Sequence, residues 1–445
     1  MNIKKILLLF NLILVIFLSD NLNNCLKAES ITLDLEEAVK LAILNSPEIK
    51  MADEDVVKSE NDLKLAKKQY LPRLSFQGSA GVDLLSLEDF SENNIGTDLI
   101  LDWNFFQNGM LIYGIKRAKV NVVSSKLKRR DVELELVFSI KTMLYGLQSR
   151  IEDLELARQN LEHEKAKFEL MKVEQEHGKH TRTDIMRKQA SLFRAENELK
   201  SAQRAIDSSK QKLVQKIEID FDGITIGDNN QDIKEETFMP LSSEKEALKT
   251  AMENRNDLKT TNLQWELSKL GLKVSKWKRW PQIEMFAGSA FAIDDLERQS
   301  NDLKFRTGVI VRYPLYDGGQ TKSHIDAARI QERKAALNVE NIKKRISNDV
   351  QDALFSLEGA VASFESSKLQ LKILSDEMEK AEVEYKDGRV SQFEWNEAKL
   401  NYQRVVFQVK KAWRSVLEAQ DYLSKMQGLS TVDIDKGEEQ GENSI

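Results

Sequence analysis

Two stretches of the chain share one pattern. Residues 309–319 read VIVRYPLYDGG, and residues 99–109 read LILDWNFFQNG. In both, apolar and polar residues alternate over several positions, as in a strand with two different faces, and the stretch ends in glycine. A long helical pattern follows each glycine. The two stretches therefore predict equivalent turns, at Gly109 and at Gly318-Gly319, that lead from a strand into a helix.

The same spacing of about 210 residues relates landmarks along the whole chain. Pro72 recurs as Pro281, and Gly178 recurs as Gly388. Because every landmark keeps its order in both halves, we conclude that the chain is a tandem duplication. Five further residues near the start of the first half, and their equivalents, are Ala38, Lys40, Ala42, Asn45 and Lys50 with Ala247, Lys249, Ala251, Asn254 and Lys259.

Each half is predicted to contain a helix, two strands, a very long helix, a turn and a second helix. We place the first repeat at residues 29–218, the second at 244–428, and a linker at 219–243. The opening helices are expected at about 33–70 and 244–279, before the prolines. The acidic tail at 429–445 is polar enough to be disordered.

The chain begins like an exported protein. Lys4 and Lys5 precede an apolar run, and Ala28 offers a small residue for cleavage, so residues 1–28 are predicted to be a signal peptide. Two alternatives are a retained membrane anchor, for which the run is short, and lipidation at Cys25, for which Asn23 and Asn24 fit poorly.

Composition excludes several classes of protein. The net charge is −6, which gives no support for nucleic-acid binding, and one cysteine cannot form an intrachain disulfide. Charged residues make up 31% of the chain with only five prolines, as expected for long helices that face water. No nucleophile with its base, phosphate loop or metal motif is recognisable, so we expect no catalytic residues, no cofactor and no metal.

The predicted strands have one apolar and one polar face. In the first, Leu74 and Phe76 lie opposite Ser75 and Gln77, and about ten such residues suit a barrel wall across a bilayer. Half-buried hairpins of a soluble domain are the alternative. Four strands cannot close a barrel, because the smallest membrane barrels have about eight, and an open edge is costly in lipid. If the strands span a membrane, three copies would supply twelve.

The two long helical stretches carry a repeat of seven. Each extends for roughly 67 residues, or about 100 Å of helix. The pattern favours a coiled-coil seam with the shorter helices 183–218 and 391–426 as antiparallel partners. The seam residues are Ile140, Leu147, Leu154, Leu161 and Phe168 in the first half and Val350, Leu357, Phe364, Leu371 and Met378 in the second, with Leu144, Ile151, Leu354 and Val361 as companions.

These features together resemble the TolC-like outer-membrane efflux channel family, over about residues 30–428. The motif from Tyr313 to Gly319 resembles the strand-to-helix turn of that family, which adds Pro314 and Asp317 to the turn. The opening LEEAVKLA, the following NSPEI and the segment YKDGRVS at 385–391 are also typical.

The resemblance implies a mainly α fold with a membrane β-barrel. It implies a homotrimer with a twelve-stranded barrel in the outer membrane of a Gram-negative-type cell and a coiled-coil tunnel across the periplasm. Its members are passive exit ducts for efflux or type I secretion rather than enzymes. Their partners are outer-membrane lipid, a periplasmic adaptor and an inner-membrane transporter of the RND, ABC or MFS type.

The resemblance also implies two functional regions at the helical tips. A periplasmic gate is expected at Asp184, Tyr385, Glu394 and Glu397. Val390 stands where some members carry a basic residue. The turns expected to dock an adaptor comprise Gly178, Lys179, Thr181, Gly388, Arg389, Val390 and Ser391.

Two other interpretations stay open at this point. One is a periplasmic stalk or adhesin without a pore, whose strands pack a soluble head. The other concerns His177 and His180 at the first tip, which suggest a metal site or a pH sensor, although histidines on an exposed turn are more often ordinary polar residues.

Overall fold

The computed structural model describes residues 31–33, 35–82, 93–106, 109–218, 224–226, 243–293 and 301–429. The predicted signal peptide, Cys25, most of the predicted linker and nearly all of the acidic tail lie outside the described residues. Within the described part, the chain forms eight helices and six strands.

The helices and strands follow the predicted order in each half. The strands are Ile31–Leu33 (β1), Arg73–Val82 (β2), Asn93–Phe106 (β3), Ile224–Ile226 (β4), Gln282–Ile293 (β5) and Asn301–Arg312 (β6). The helices are Leu35–Asn45 (α1), Pro47–Lys68 (α2), Met110–Glu176 (α3), Arg182–Ile217 (α4), Glu244–Asn254 (α5), Asn256–Trp277 (α6), Gln320–Lys386 (α7) and Gln392–Met426 (α8).

Each predicted opening helix is in fact two helices, so the prediction of one continuous helix is wrong. In the first half the break lies at Ser46, because Pro47 disfavours helical geometry in the residue before it. In the second half it lies at Arg255, which is extended with φ −60° and ψ 125°. The Arg255 guanidinium bonds Asp257 and Asp349 at 2.7 Å each, so one local and one tertiary ion pair accompany the second break.

The strands of both halves form one antiparallel sheet in the order β2-β3-β5-β6. The two hairpins have the same register: Arg73 pairs with Asp102 in the first, and the equivalent Gln282 pairs with Arg312 in the second. This correspondence extends the duplication from sequence to strand pairing.

The sheet has the two faces that alternation predicts. Leu74 pairs with Leu101 on the apolar face, and Arg73 pairs with Asp102 on the polar face. Ile100 and Ile310 are exceptions on the polar face. Apolar side chains that lie exposed on the other face are Leu74, Phe76, Leu99, Leu101, Met285, Phe305, Val309 and Val311.

The long helices agree with the prediction, because α3 and α7 have 67 residues each. The seam is buried at Ile140, Leu147, Val350 and Leu357. Ile151, a predicted companion, is exposed instead.

The chain divides into two compact units, each built from both halves of the sequence. One contains residues 50–132 and 245–350, and therefore holds the four-stranded sheet. The other contains residues 1–49, 133–244 and 351–445. In this second unit β1 pairs in parallel with β4, Ile31 with Ile224, which the sequence analysis missed because both strands have three residues. The boundaries of the two repeats stay a prediction.

Candidate functional site

The turns at the two helical tips have the same backbone conformation. Gly178 and Gly388 adopt left-handed φ values of 77° and 68°, which glycine takes without the cost of a Cβ. After the first glycine, the Lys179 N–H donates to the Glu174 carbonyl at 3.0 Å. After the second, the Arg389 N–H donates to the Glu384 carbonyl at 2.8 Å. This is the glycine-capped helix end that satisfies the last carbonyls, so each long helix ends at its tip for the same reason.

The helix that leaves the first tip begins with a capping box. The Thr181 hydroxyl accepts from the Asp184 N–H at 3.2 Å, and the Thr181 N–H donates to the Asp184 carboxylate at 3.1 Å. The hydrogen bond from the Thr181 side chain, together with that from its backbone, holds the pKa of Asp184 below its usual value. Asp184 is therefore held in its ionised form beside the turn, where it is half-buried.

The helix that leaves the second tip begins in the same way. The Ser391 N–H donates to the Glu394 carboxylate at 2.7 Å, and the Glu394 N–H donates to the Ser391 hydroxyl at 3.3 Å. Hydrogen bonds from the backbone and side chain of Ser391 lower the pKa of Glu394. Asp184 and Glu394, two of the three predicted gate acids, thus occupy equivalent positions, the third residue of α4 and of α8.

The other two predicted gate residues have different surroundings. The Tyr385 ring stacks on Trp395, with ring centres 5.2 Å apart and planes at 5°. Glu397 lies one turn further into α8, where its carboxylate is 3.4 Å from the Lys167 ammonium of α3. Sequence reasoning missed both Trp395 and Lys167. Trp395 directly follows Glu394, so the sequence could have indicated it. Lys167 is 230 residues away from Glu397, so no local pattern links the two.

The first tip differs from the second at His180. Its Nε2 lies 2.8 Å from the Glu174 carboxylate, and this hydrogen bond lowers the pKa of Glu174. The equivalent of His180 in the second tip is Val390, so the pair has no counterpart there. No cluster of three or more metal-ligating side chains occurs among the residues that the structure describes.

The two strand-to-helix turns are built differently from each other. The Asp317 carboxylate accepts hydrogen bonds from the Gly319 and Thr321 N–H groups at 3.0 and 2.8 Å. The pKa of Asp317 is lowered mainly by its hydrogen bonds with Thr321. At Gly109, φ is 75° and an added Cβ would lie 2.3 Å from the Trp277 ring. Pro314 is exposed in its turn. One turn is thus held by hydrogen bonds and the other by close packing on an aromatic ring.

The chemistry that these residues offer is electrostatic. Capping hydrogen bonds hold Asp184 and Glu394 and lower their pKa values, and Glu397 lies in an ion pair with Lys167. Across the described ranges, no helix is both long and apolar enough to cross a membrane.

Comparisons with known proteins agree with the duplicated fold. A family model described as outer membrane efflux protein matches residues 38–217 and 247–429. The cation efflux system protein CusC of Escherichia coli O157:H7 is 21% identical over 375 residues, which cover 79% of this chain and 76% of CusC.

Solved structures give the same fold. A crystal structure of CusC superposes with a TM-score of 0.74 at 15% identity and covers 89% of this chain and 92% of its own. The CmeC outer membrane channel of Campylobacter jejuni gives 0.70 at 15% identity, covering 90% and 87%. The predicted fold class is confirmed, and the channel interpretation is favoured over the stalk. The chain therefore belongs to the outer membrane efflux protein family, and it is a channel subunit with the duplicated TolC-like fold.

Proposed function

We propose that three copies of this chain form a passive exit duct in the outer membrane of a Gram-negative-type cell, for efflux or type I secretion. Each copy would contribute four strands to a twelve-stranded barrel, and its long helices would form a periplasmic tunnel. An inner-membrane transporter of the RND, ABC or MFS type would supply the energy. Membership of the efflux family and the open edges of the four-stranded sheet support this assembly.

The second tip is the proposed gate, and the observation that carries it is the placement of two acids on one face of α8. Glu394 and Glu397 are three residues apart, so their side chains lie on the same side of the helix. Both are exposed, and Glu394 is kept ionised by Ser391. In a trimer these acids, with Asp184 of the first tip, would gather negative charge that attracts cations and repels anions.

The stacked pair of Tyr385 and Trp395 would be the apolar part of this gate. Its first-half equivalents are Gln175 and Ile185, so this stacked pair is specific to the second tip. Opening would then differ between the two kinds of tip, with the second contributing both the rings and the paired acids.

The glycine-capped turns are the proposed docking surface for a periplasmic adaptor. Their exposed residues are Lys179 and Thr181 at the first tip and Arg389 and Ser391 at the second. At the position where the first tip has His180, hydrogen-bonded to Glu174, the second tip has the apolar side chain of Val390. An adaptor would therefore meet two chemically distinct tips that share one backbone.

Conductance in planar bilayers tests the gate. We expect the double variant Glu394→Gln with Glu397→Gln to form pores of lower cation preference and weaker block by divalent cations, because up to six negative charges would be removed from one constriction. Glu365→Gln is the matched control, since Glu365 is an exposed acid on α7 that is paired with Lys368 at 3.6 Å. An unchanged ion preference and block in the double variant would exclude the gate, and the absence of any pore would exclude the duct.

A further inference from the structure

A basic surface lies at the end of the sheet where its strands meet the helices. We propose that this surface binds the headgroups of anionic phospholipids in the membrane leaflet that faces the periplasm. The inference rests on the proposed placement of the sheet in the outer membrane. It adds a lipid partner of defined charge, which a passive duct does not by itself require.

Three segments that border the sheet contain cations and no acids. Residues 63–71, from the end of α2 towards β2, contain three cations, and residues 110–119 at the start of α3 contain three. Residues 267–281, from the second half of α6 to the start of β5, contain five. Since the whole chain has a net charge of −6, this positive charge is a local feature. We call the Lys and Arg side chains of these three segments the basic collar.

Contacts bring the three segments together beside the sheet. An added Cβ at Gly271 would lie 3.3 Å from the Tyr113 ring, so α6 packs on the start of α3. Leu71, which follows α2, and Leu111 of α3 line one cavity at the end of the sheet. All of these residues belong to the compact unit that holds the sheet. The basic collar is therefore one surface rather than three separate runs of charge.

The collar cations lack the ion pairs that other cations of the same helices make. Further from the sheet, Lys126 of α3 lies 3.4 Å from Glu60 of α2, and Arg129 lies 2.9 Å from Asp53. Within the part of the chain that the structure describes, no carboxylate lies within 4.0 Å of a collar cation. Every collar cation is exposed except Lys278, which is half-buried. Because like charges without counterions repel one another, an anionic partner outside the chain would stabilise this surface.

Aromatic and apolar residues separate the collar from the strands. Trp280 and Leu71 are 64% and 63% exposed, and each lies between collar cations and the first residue of a strand. The Trp103 indole N–H donates to the Tyr70 carbonyl at 3.0 Å, which fixes another aromatic ring close to Leu71. The exposed apolar face of the sheet then begins at Leu74.

This order of residue types is the order of layers in a membrane. Tryptophan and tyrosine concentrate at the boundary between hydrocarbon and headgroups, and lysine and arginine beyond that boundary bind anionic headgroups. A zwitterionic headgroup has no net charge to offset a cluster of cations, whereas an anionic phospholipid attracts each cation within a Debye length. The charge of the collar therefore favours an anionic phospholipid.

Native mass spectrometry of the full chain in detergent tests the proposal. The protein is mixed with equal amounts of phosphatidylglycerol and phosphatidylcholine that have the same acyl chains, and the bound lipids are counted. The collar variant replaces four exposed lysines, Lys64→Gln, Lys67→Gln, Lys273→Gln and Lys276→Gln. The charge-matched control replaces four exposed lysines of the compact unit that lacks the four-stranded sheet, Lys165→Gln, Lys200→Gln, Lys212→Gln and Lys372→Gln.

We expect the native chain and the control to bind about fivefold more phosphatidylglycerol than phosphatidylcholine, and the collar variant to lose most of this preference. Added salt should lower the preference of the native chain as well, because it screens exposed charges. This second measurement needs no substitution and so does not depend on the folding of a variant. A ratio near one in the native chain, or equal ratios in the collar variant and the control, would overturn the proposal.

Two further outcomes separate the lipid surface from the proposed duct. A collar-dependent preference for phosphatidylglycerol in a protein of monomeric mass would support the lipid surface and overturn the trimeric duct. If the collar cations face the channel instead, the collar variant would alter the ion preference of pores in planar bilayers and keep the native lipid ratio. That result would overturn the lipid surface and leave the duct standing.

Discussion

At the residue scale, the two tips have the same backbone conformation but different side chains. The turn glycines and the capping boxes are equivalent in the two halves. The side chains beside them are not, because Gln175 and His180 in the first tip correspond to Tyr385 and Val390 in the second. Local hydrogen bonding therefore constrains the turn, while the residues around it are free to diverge.

The capping acids make the tips sensitive to acid. The folded-state pKa of Glu394 is lowered, so the stabilisation is present above the unfolded value of about 4.3 and is lost as pH falls through the folded value. The Trp395 N–H donates to the Ser391 carbonyl at 3.2 Å. We expect its protection from hydrogen exchange to decrease as the pH falls through that range. Glu394→Gln should lower protection at neutral pH and remove the pH dependence.

Hydrogen exchange, with each rate divided by its intrinsic value, measures this effect. Asp184→Asn should act in the same way on the first tip and leave the second unchanged. Parallel pH profiles in the native chain and the Glu394→Gln variant would contradict the assignment.

Gly109 should tolerate alanine less well than Gly318 does. Both have positive φ, which costs an L-residue about 1–2 kcal/mol. An added Cβ at Gly318 meets nothing within 4 Å, whereas at Gly109 it lies 2.3 Å from the Trp277 ring. We expect Gly109→Ala to lower the free energy of unfolding by roughly 1–3 kcal/mol more than Gly318→Ala does. Urea unfolding in detergent measures this difference. Adding Trp277→Ala should abolish that extra loss for Gly109→Ala. An equal cost at both glycines would refute the packing argument.

At the element scale, ion pairs and hydrogen bonds between charged side chains connect α3 and α8. Lys141 and Asp421 lie 2.8 Å apart with side chains 9% and 13% exposed. The Tyr145 hydroxyl donates to the same carboxylate at 3.3 Å, and burial is the first cause that raises the pKa of this tyrosine. Arg414 of α8 bonds both Glu152 and Ser149 of α3. These contacts select one alignment of the two helices, which apolar seams alone specify less strictly.

Removing one partner of the buried pair should be costly. Asp421→Ala leaves Lys141 buried without its counterion, so we expect a loss of about 3–5 kcal/mol. Lys141→Met with Asp421→Leu should recover most of it, because apolar residues of similar size often replace buried pairs without cost. Helical circular dichroism during urea unfolding measures both. Glu382→Ala, which breaks the exposed pair with Lys386, is the control and should change little. A double variant as unstable as Asp421→Ala would show that charge is not the cause.

At the scale of the whole molecule, the duplication relates contacts within one chain to contacts between copies. Tyr145 of α3 is half-buried against α8. Its second-half equivalent, Phe355 of α7, is 59% exposed. The equivalent partner helix is α4, so in the proposed trimer Phe355 would lie against α4 of a neighbouring copy.

Phe355→Glu should therefore weaken assembly more than folding. Each copy would lose about 1.5–3 kcal/mol of apolar burial, so the trimer fraction at low concentration should fall several-fold while helical content stays the same. Phe355→Leu is the matched control and should keep most of the trimer. Native mass spectrometry in detergent measures the trimer fraction. An unaltered trimer fraction in Phe355→Glu would show that Phe355 of α7 does not lie in the interface.

Sequence reasoning was most successful where local chemistry decides the structure. The length of the long helices, the alternation in the sheet and the reversals at Gly178 and Gly388 all follow from periodicity and from single turn residues. The break at Ser46 was not predicted, although Pro47 follows it and marks the position. The break at Arg255 was not predicted either, because no proline marks it and ion pairs with Asp257 and Asp349 accompany it.

The sequence by itself determined the duplication, the order of the long helices and of the sheet strands, and the family, because these depend on patterns that repeat along the chain. Only the tertiary structure decided that β3 pairs with β5, that Lys141 meets Asp421 and that Lys167 meets Glu397. Each of these contacts joins residues that are far apart in the chain. Such contacts depend on the packing of whole elements in three dimensions, and no local propensity encodes them.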